Sequence, residues 1–314
     1  MLRQEPLLLR HPAFVKLFVL FLLILVMWLI TFFLGVLLSR PLFGIPVMET
    51  LSGIGIPENP EEISLLKFMQ VLSQLGAFVL PGLIFAFLVS FSVSEYLGLK
   101  KLPGLFSAIS VVLLMYLLLP VINELVKINQ AMVLPDSLHA IEEWMRTAET
   151  RAEELTKAFL NTRTIWGLVI NLLIVGVIAS VAEELLFRAV LIRVFRSWLG
   201  NVHIAVVLSA IIFSAFHLQF FGFLPRFVLG LIFGYLFVWS GSVWLPILAH
   251  FINNASAVMV YYLFEQGVVE TPAEEFGSVE STVLLWVSIV LSLALIFFVV
   301  MNEQTGLRFL KRNR

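Results

Sequence analysis

The sequence predicts an all-α integral membrane protein, about eight transmembrane helices in one bundle with an amphipathic helix between the third and fourth spans. Three observations predict it. Of the 314 residues, 60% are hydrophobic and 13% charged, with a mean hydropathy of +1.01, well beyond a water-soluble domain. Eight stretches approach the roughly 20 apolar residues that cross a hydrocarbon core of about 30 Å. Basic residues gather in alternate connections between those stretches.

The spans run approximately Leu17 to Leu38, Phe68 to Ser90, Leu105 to Ile122, Ile165 to Phe187, Val202 to Phe221, Phe227 to Trp239, Val243 to Leu263 and Val283 to Met301. The sixth is the shortest. The first is too long for the apolar core of a signal peptide and is followed by no small-residue cleavage pattern, so it is read as a span. Arg3, Arg10 and Lys16 precede the first span and Arg308, Lys311, Arg312 and Arg314 follow the last, which places both termini in the cytoplasm. Lys100, Lys101, Arg188, Arg193 and Arg196 fall on the same side by alternation. Glu265, Glu270, Glu274, Glu275 and Glu280 share a loop that has no Lys or Arg.

Between the third and fourth spans, Leu138, Ile141, Met145, Ala148, Ala152, Leu155 and Phe159 recur at spacings of three and four, the mark of an amphipathic helix. Pro135, Asp136 and Ser137 offer turn and capping chemistry ahead of it. It reads as a cap packed on the bundle in preference to a lid over a substrate path. There is no internal repeat or low-complexity tract.

A net charge of -1 gives no general attraction to nucleic acid, and the absence of cysteine excludes thiolate metal sites and cysteine nucleophiles. Ionisable groups inside apolar spans cost at least about 2.5 kcal/mol each on insertion scales, so each needs a partner or a task. Three clusters qualify. Glu183, Glu184 and Arg188 share the fourth span, where Glu184 and Arg188 pair at i,i+4 and Glu183 points about 100° away. Phe213 and His217 lie one turn apart in the fifth, and His250 and Asn254 share a face of the seventh.

If the fourth and fifth helices turn near Gly200, Glu183 and His217 are each 17 residues from the turn and lie level. Further turns near Phe223 and Gly241 bring that level to about Asn253, between His250 and Asn254. Hydropathy and this count agree on depth only if the fourth helix runs well past the membrane or the topology near the site is irregular. Phe220, Phe221, Phe223 and Phe227 read as interface anchors or as the lining of an apolar groove.

A carboxylate, two imidazoles and a carboxamide in one low-dielectric layer have the parts for hydrolysis. Glu183 suits the general base, His217 would hold the same water, and His250 and Asn254 would donate to the oxyanion, with Glu184 and Arg188 bracing the helix. Glu183, His217 and His250 are alternatively a zinc ligand set, although the HExxH pattern is absent. No cofactor is favoured.

The three clusters, in order EExxxR, FxxxH and HxxxN, resemble the motifs of the CPBP family, the intramembrane endopeptidases related to the CAAX prenyl protease type 2 and to bacteriocin-processing and Abi-like proteins. The resemblance implies a catalytic core at about 165–264 within a single transmembrane domain spanning 1–314. It also implies that Glu183 and His217 activate water while His250 and Asn254 form the oxyanion hole. The expected activity is hydrolysis of a peptide bond in a membrane-associated or lipidated substrate, in a prokaryotic cytoplasmic membrane, with membrane lipid as the other partner. Relatives are often labelled metalloproteases, yet related structures argue for a metal-free mechanism. A transporter relaying protons through buried Glu and His, or a noncatalytic immunity protein, are the competing readings. Paired helix interruptions in two halves would mark the former, and none is evident.

Overall fold

In a computed structural model, residues 5–47, 57 and 59–303 are described, the side chain of Glu274 excepted. Arg3, Arg308, Lys311, Arg312 and Arg314, which bear on the topology of the termini, lie outside the described residues. The protein is all-helical among them: α1 Ala13–Phe43, α2 Pro60–Val89, α3 Leu105–Leu117, α4 Leu119–Gln130, α5 His139–Leu160, α6 Ile165–Leu199, α7 Val202–Phe216, α8 Phe223–Ser240, α9 Trp244–Glu265 and α10 Thr282–Asn302.

Six of these helices are long and apolar enough to cross a membrane, and α3 with α4 forms a seventh candidate bent by 43°. Pro120 stands at the start of α4, where its ring cannot continue the preceding hydrogen-bond ladder. Adding the short apolar helix α7 gives about the eight spans expected. The sixth predicted span is not the short one: α8 runs to Ser240, whereas α7 stops at Phe216. Leu218 ends it by adopting a left-handed backbone, φ 53°, which a branched side chain tolerates only at a cost.

The turns expected at Gly200 and Gly241 fall at those residues, both with positive φ that glycine alone accepts freely. Helix α6 has 35 residues, about 52 Å at 1.5 Å per residue, so it outruns the hydrocarbon core and removes the conflict over depth. It is not uniform. Leu172–Ile178 and Leu185–Leu191 are π-helical, with α-helical Ala179–Glu184 between them, and α2 has a π-helical stretch of its own at Leu75–Val79.

Helix α6 packs on α2, α7 and α9, and α7 packs along α8. The last contact is close because α8 presents glycines. A Cβ on Gly230 would lie 3.1 Å from the Ala210 Cβ, and one on Gly234 would lie 2.8 Å from a Val206 methyl. The amphipathic helix forms as α5, with Met145, Ala148, Ala152, Leu155 and Phe159 half-buried. Leu138 and Ile141 are instead exposed, 40% and 49%, and Ser137 makes no capping bond. The start of α5 is held by Glu142, whose carboxylate accepts from the Leu134 N–H at 2.8 Å and from Arg146.

Candidate active site

Ala179–Glu184 is the short α-helical piece of α6 that carries both glutamates, and both are buried, Glu183 8% and Glu184 0% exposed. They face different partners, as their spacing on the helix requires. Glu184 Oε2 lies 3.0 Å from Arg188 Nε, close enough for an ion pair though not aligned as a hydrogen bond. Its other oxygen, Oε1, is 2.9 Å from His250 Nδ1. A carboxylate only accepts, so Nδ1 of His250 carries the proton and Nε2 is left to face Glu183. The distance from Nε2 to Glu183 Oε2 is 3.9 Å, too long for a direct hydrogen bond. A water about 2.8 Å from each atom would sit to one side of that line and touch both.

Arg188 is almost fully buried, 1% exposed, and its charge is met by more than Glu184. Its guanidinium lies over the rings of Phe213 at 4.3 Å, Phe233 at 5.4 Å and Phe187 at 5.8 Å. Phe213 thus has a concrete place in its motif. The same ring meets His217 edge-on at 5.1 Å and His250 at 5.9 Å. Phe233 stacks on His250 at 5.1 Å, so this imidazole is fixed by ring and carboxylate together.

His217 stands just past the end of α7. Its Nδ1 is 2.9 Å from the Phe213 carbonyl, which only accepts, so Nδ1 carries the proton and Nε2 presents a lone pair. The connection that follows is held from several sides. Arg226 donates to the Gln219 carbonyl and side chain, Asn129 on α4 bonds Phe220 O and Leu224 N, and the Phe221 N–H donates to Glu149 on α5 at 3.2 Å. Phe220 packs on Trp144, and Arg146 lies 4.4 Å over the Phe221 ring. These aromatics are therefore where α5 docks, and Phe223 stacks on Phe227 at 6.2 Å.

Glu183, Glu184, Arg188, Phe213, His217 and His250 accordingly form one cluster, with the Phe213 ring touching Arg188, His217 and His250 alike. Asn254 stands one turn beyond His250, and its Nδ2 donates to Val175 O at 3.0 Å in the first π-helical stretch, not to another member of the cluster. Among the described residues no three of His, Cys, Asp or Glu are disposed to hold a metal ion.

Two contacts escaped the sequence reading. Glu184 reaches His250 as well as Arg188, and Gln74 on α2 donates to Glu183 Oε1 at 3.3 Å. A glutamine inside an apolar span was the one available signal for the latter.

Comparison with known proteins finds two similarities. A curated Escherichia coli protein described as an uncharacterized 24.3 kDa protein is 32% identical over 105 residues, 31% of this chain and 46% of that protein. The match thus spans about half the length of that relative. No solved structure matches. The family described as Type II CAAX prenyl endopeptidase Rce1-like matches residues 165–256, a segment that begins with α6 and ends just past Asn254. That segment is similar to this family, which is consistent with the CPBP family that the three motifs resemble.

Proposed function

We propose that the protein is an intramembrane endopeptidase that hydrolyses a peptide bond of a membrane-associated or lipidated substrate with water activated by Glu183 and His217. The observation that carries this reading is the buried Glu183 facing His250 Nε2 across 3.9 Å while Glu184 fixes that imidazole from its other side. The Rce1-like match over the same residues supports the same reaction class.

In the proposed reaction Glu183 removes a proton from water and the oxygen adds to the scissile carbonyl carbon. His217 accepts a hydrogen bond from that water at Nε2. The carbonyl oxygen becomes an oxyanion. His250 donates to it from Nε2 as an imidazolium, whose charge Glu184 faces at 2.9 Å. Asn254 donates its second amide hydrogen, the first being given to Val175. The carbon–nitrogen bond then breaks and Glu183 returns its proton to the leaving amine, giving a carboxylic acid, which keeps the second water proton, and a free amine. The proposed mechanism needs no metal.

Orientation follows the positive-inside rule in this reading. Lys16, Arg193 and Arg196 line one cavity at the Gly200 end of α6, which supports that end as the cytoplasmic face of a prokaryotic membrane. The test reconstitutes the full chain in liposomes with a library of membrane peptides and compares wild type with Glu183→Ala and His217→Ala. Loss of cleavage in both is expected. Unchanged cleavage in both refutes the assignment.

A further inference from the structure

Gln74 belongs neither to the three motifs nor to the matched segment, and lies 109 positions from the glutamate it touches. It is buried, 5% exposed, at the last α-helical position of α2 before the π-helical stretch Leu75–Val79. That stretch packs on Ala179–Glu184. Its Nε2 donates to Glu183 Oε1, while its own Oε1 is buried with no hydrogen-bond partner among the described residues. A buried acceptor without a donor costs free energy, so its retention beside a carboxyl needs a reason.

The reason lies in the two ends of a carboxamide. Its NH₂ donates to a carboxylate, and after a half-turn about the last side-chain bond its oxygen accepts from a carboxylic acid. A base that takes a proton and later returns it passes through both forms. We propose that Gln74 is a positioning residue for Glu183, holding the carboxyl in one orientation in both halves of the proton cycle. This rests on the reading of Glu183 as the base. The charged groups facing Glu183 are Glu184 and Arg188 on α6, His217 after α7, Arg226 on α8 and His250 on α9. From α2 the contact is the uncharged Gln74, which orients the carboxyl without adding to that field.

The experiment compares wild type with Gln74→Met, similar in size but without the hydrogen bond, and Gln74→Glu. In Gln74→Met, kcat falls about tenfold with KM little changed, and the acidic limb of the pH–rate profile rises by about one unit, because the charge-assisted bond lost from the carboxylate is stronger than the neutral bond lost from the acid. In Gln74→Glu the limb rises further, because a like charge is added. A residue that only fills space would leave the limb in place. In parallel, the carboxylic C=O stretch of Glu183, identified by its loss in Glu183→Gln, is titrated by difference infrared spectroscopy in wild type and Gln74→Met. A midpoint raised by about one unit supports the assignment, and an unchanged midpoint or an unchanged pH–rate limb overturns it. The infrared readout needs no substrate, so a wild type that cleaves no better than Glu183→Ala sinks the peptidase reading while the spectra still decide on Gln74.

Discussion

Removing Arg188 should destabilise the fold more than neutralising Glu184, and removing both charges should cost less than the two changes separately. Both side chains are buried, 1% and 0% exposed, with 3.0 Å between Nε and Oε2. In Arg188→Met the Glu184 charge stays buried with one donor, His250 Nδ1, and the Glu183 carboxylate also loses the guanidinium that acts on it. Breaking a buried pair in this way costs about 3–5 kcal/mol. In Glu184→Gln the cation left behind still lies over three aromatic rings, each contributing roughly 0.5–2 kcal/mol, and the carboxamide oxygen still accepts from His250. About 2–3 kcal/mol is expected for that change. In the double variant neither charge is stranded, so the coupling should reach about 2 kcal/mol. The assay is reversible unfolding in mixed micelles with increasing dodecyl sulfate, followed by the fluorescence of the seven tryptophans. Costs that add to within about 0.5 kcal/mol, or a Glu184→Gln protein weaker than Arg188→Met, would refute the account of the buried charges.

Two carboxylates on α5 should respond to pH in opposite senses. Burial raises Glu149 above its ordinary 4.5, so its support for docking on the Phe221 connection is fullest below 4.5 and falls as pH rises through the raised value. The hydrogen bond from Leu134 and the side chain of Arg146 lower Glu142, so its support is present above 4.5 and lost as pH falls through the lowered value. Hydrogen exchange over 139–160 measures both, and Glu149→Gln should abolish the first trend alone. Gly230→Val should push α7 from α8, because the added atoms meet Ala210 and Phe213 at 3.1 to 3.2 Å. A loss of about 1–3 kcal/mol in the same unfolding assay is expected, with Gly230→Ala milder. Dialysis against a chelator should leave peptide cleavage unchanged, whereas stoichiometric zinc that disappears in His217→Ala would select the metal-dependent alternative.

Most of the scaffold was legible because hydrophobic length and glycine turns are local properties. Eight apolar stretches, the turns at Gly200 and Gly241 and the amphipathic α5 all follow from them. Hydropathy did not see where α7 stops, since Phe216 and Leu218 are both apolar and only the backbone of Leu218 differs. Within the candidate site, spacing on one helix gave the Glu184–Arg188 pair. The reach of Glu184 to His250 and of Gln74 to Glu183 spans 66 and 109 positions, and no periodicity records such contacts.

The two wide-turn stretches of α6 also make the count of its residues part of the design. Each holds more backbone per turn than an ordinary helix, so the glutamate-bearing piece is clocked relative to what precedes and follows it. Deleting one residue ahead of Glu183 from the regularly wound Ala179–Glu184, which has no extra backbone to give up, would turn the upstream face by about 100° against Glu183. The composition of the span would be nearly unchanged, and hydropathy would register nothing. The carboxyl groups and the Asn254 anchor at Val175 would nevertheless look toward different walls.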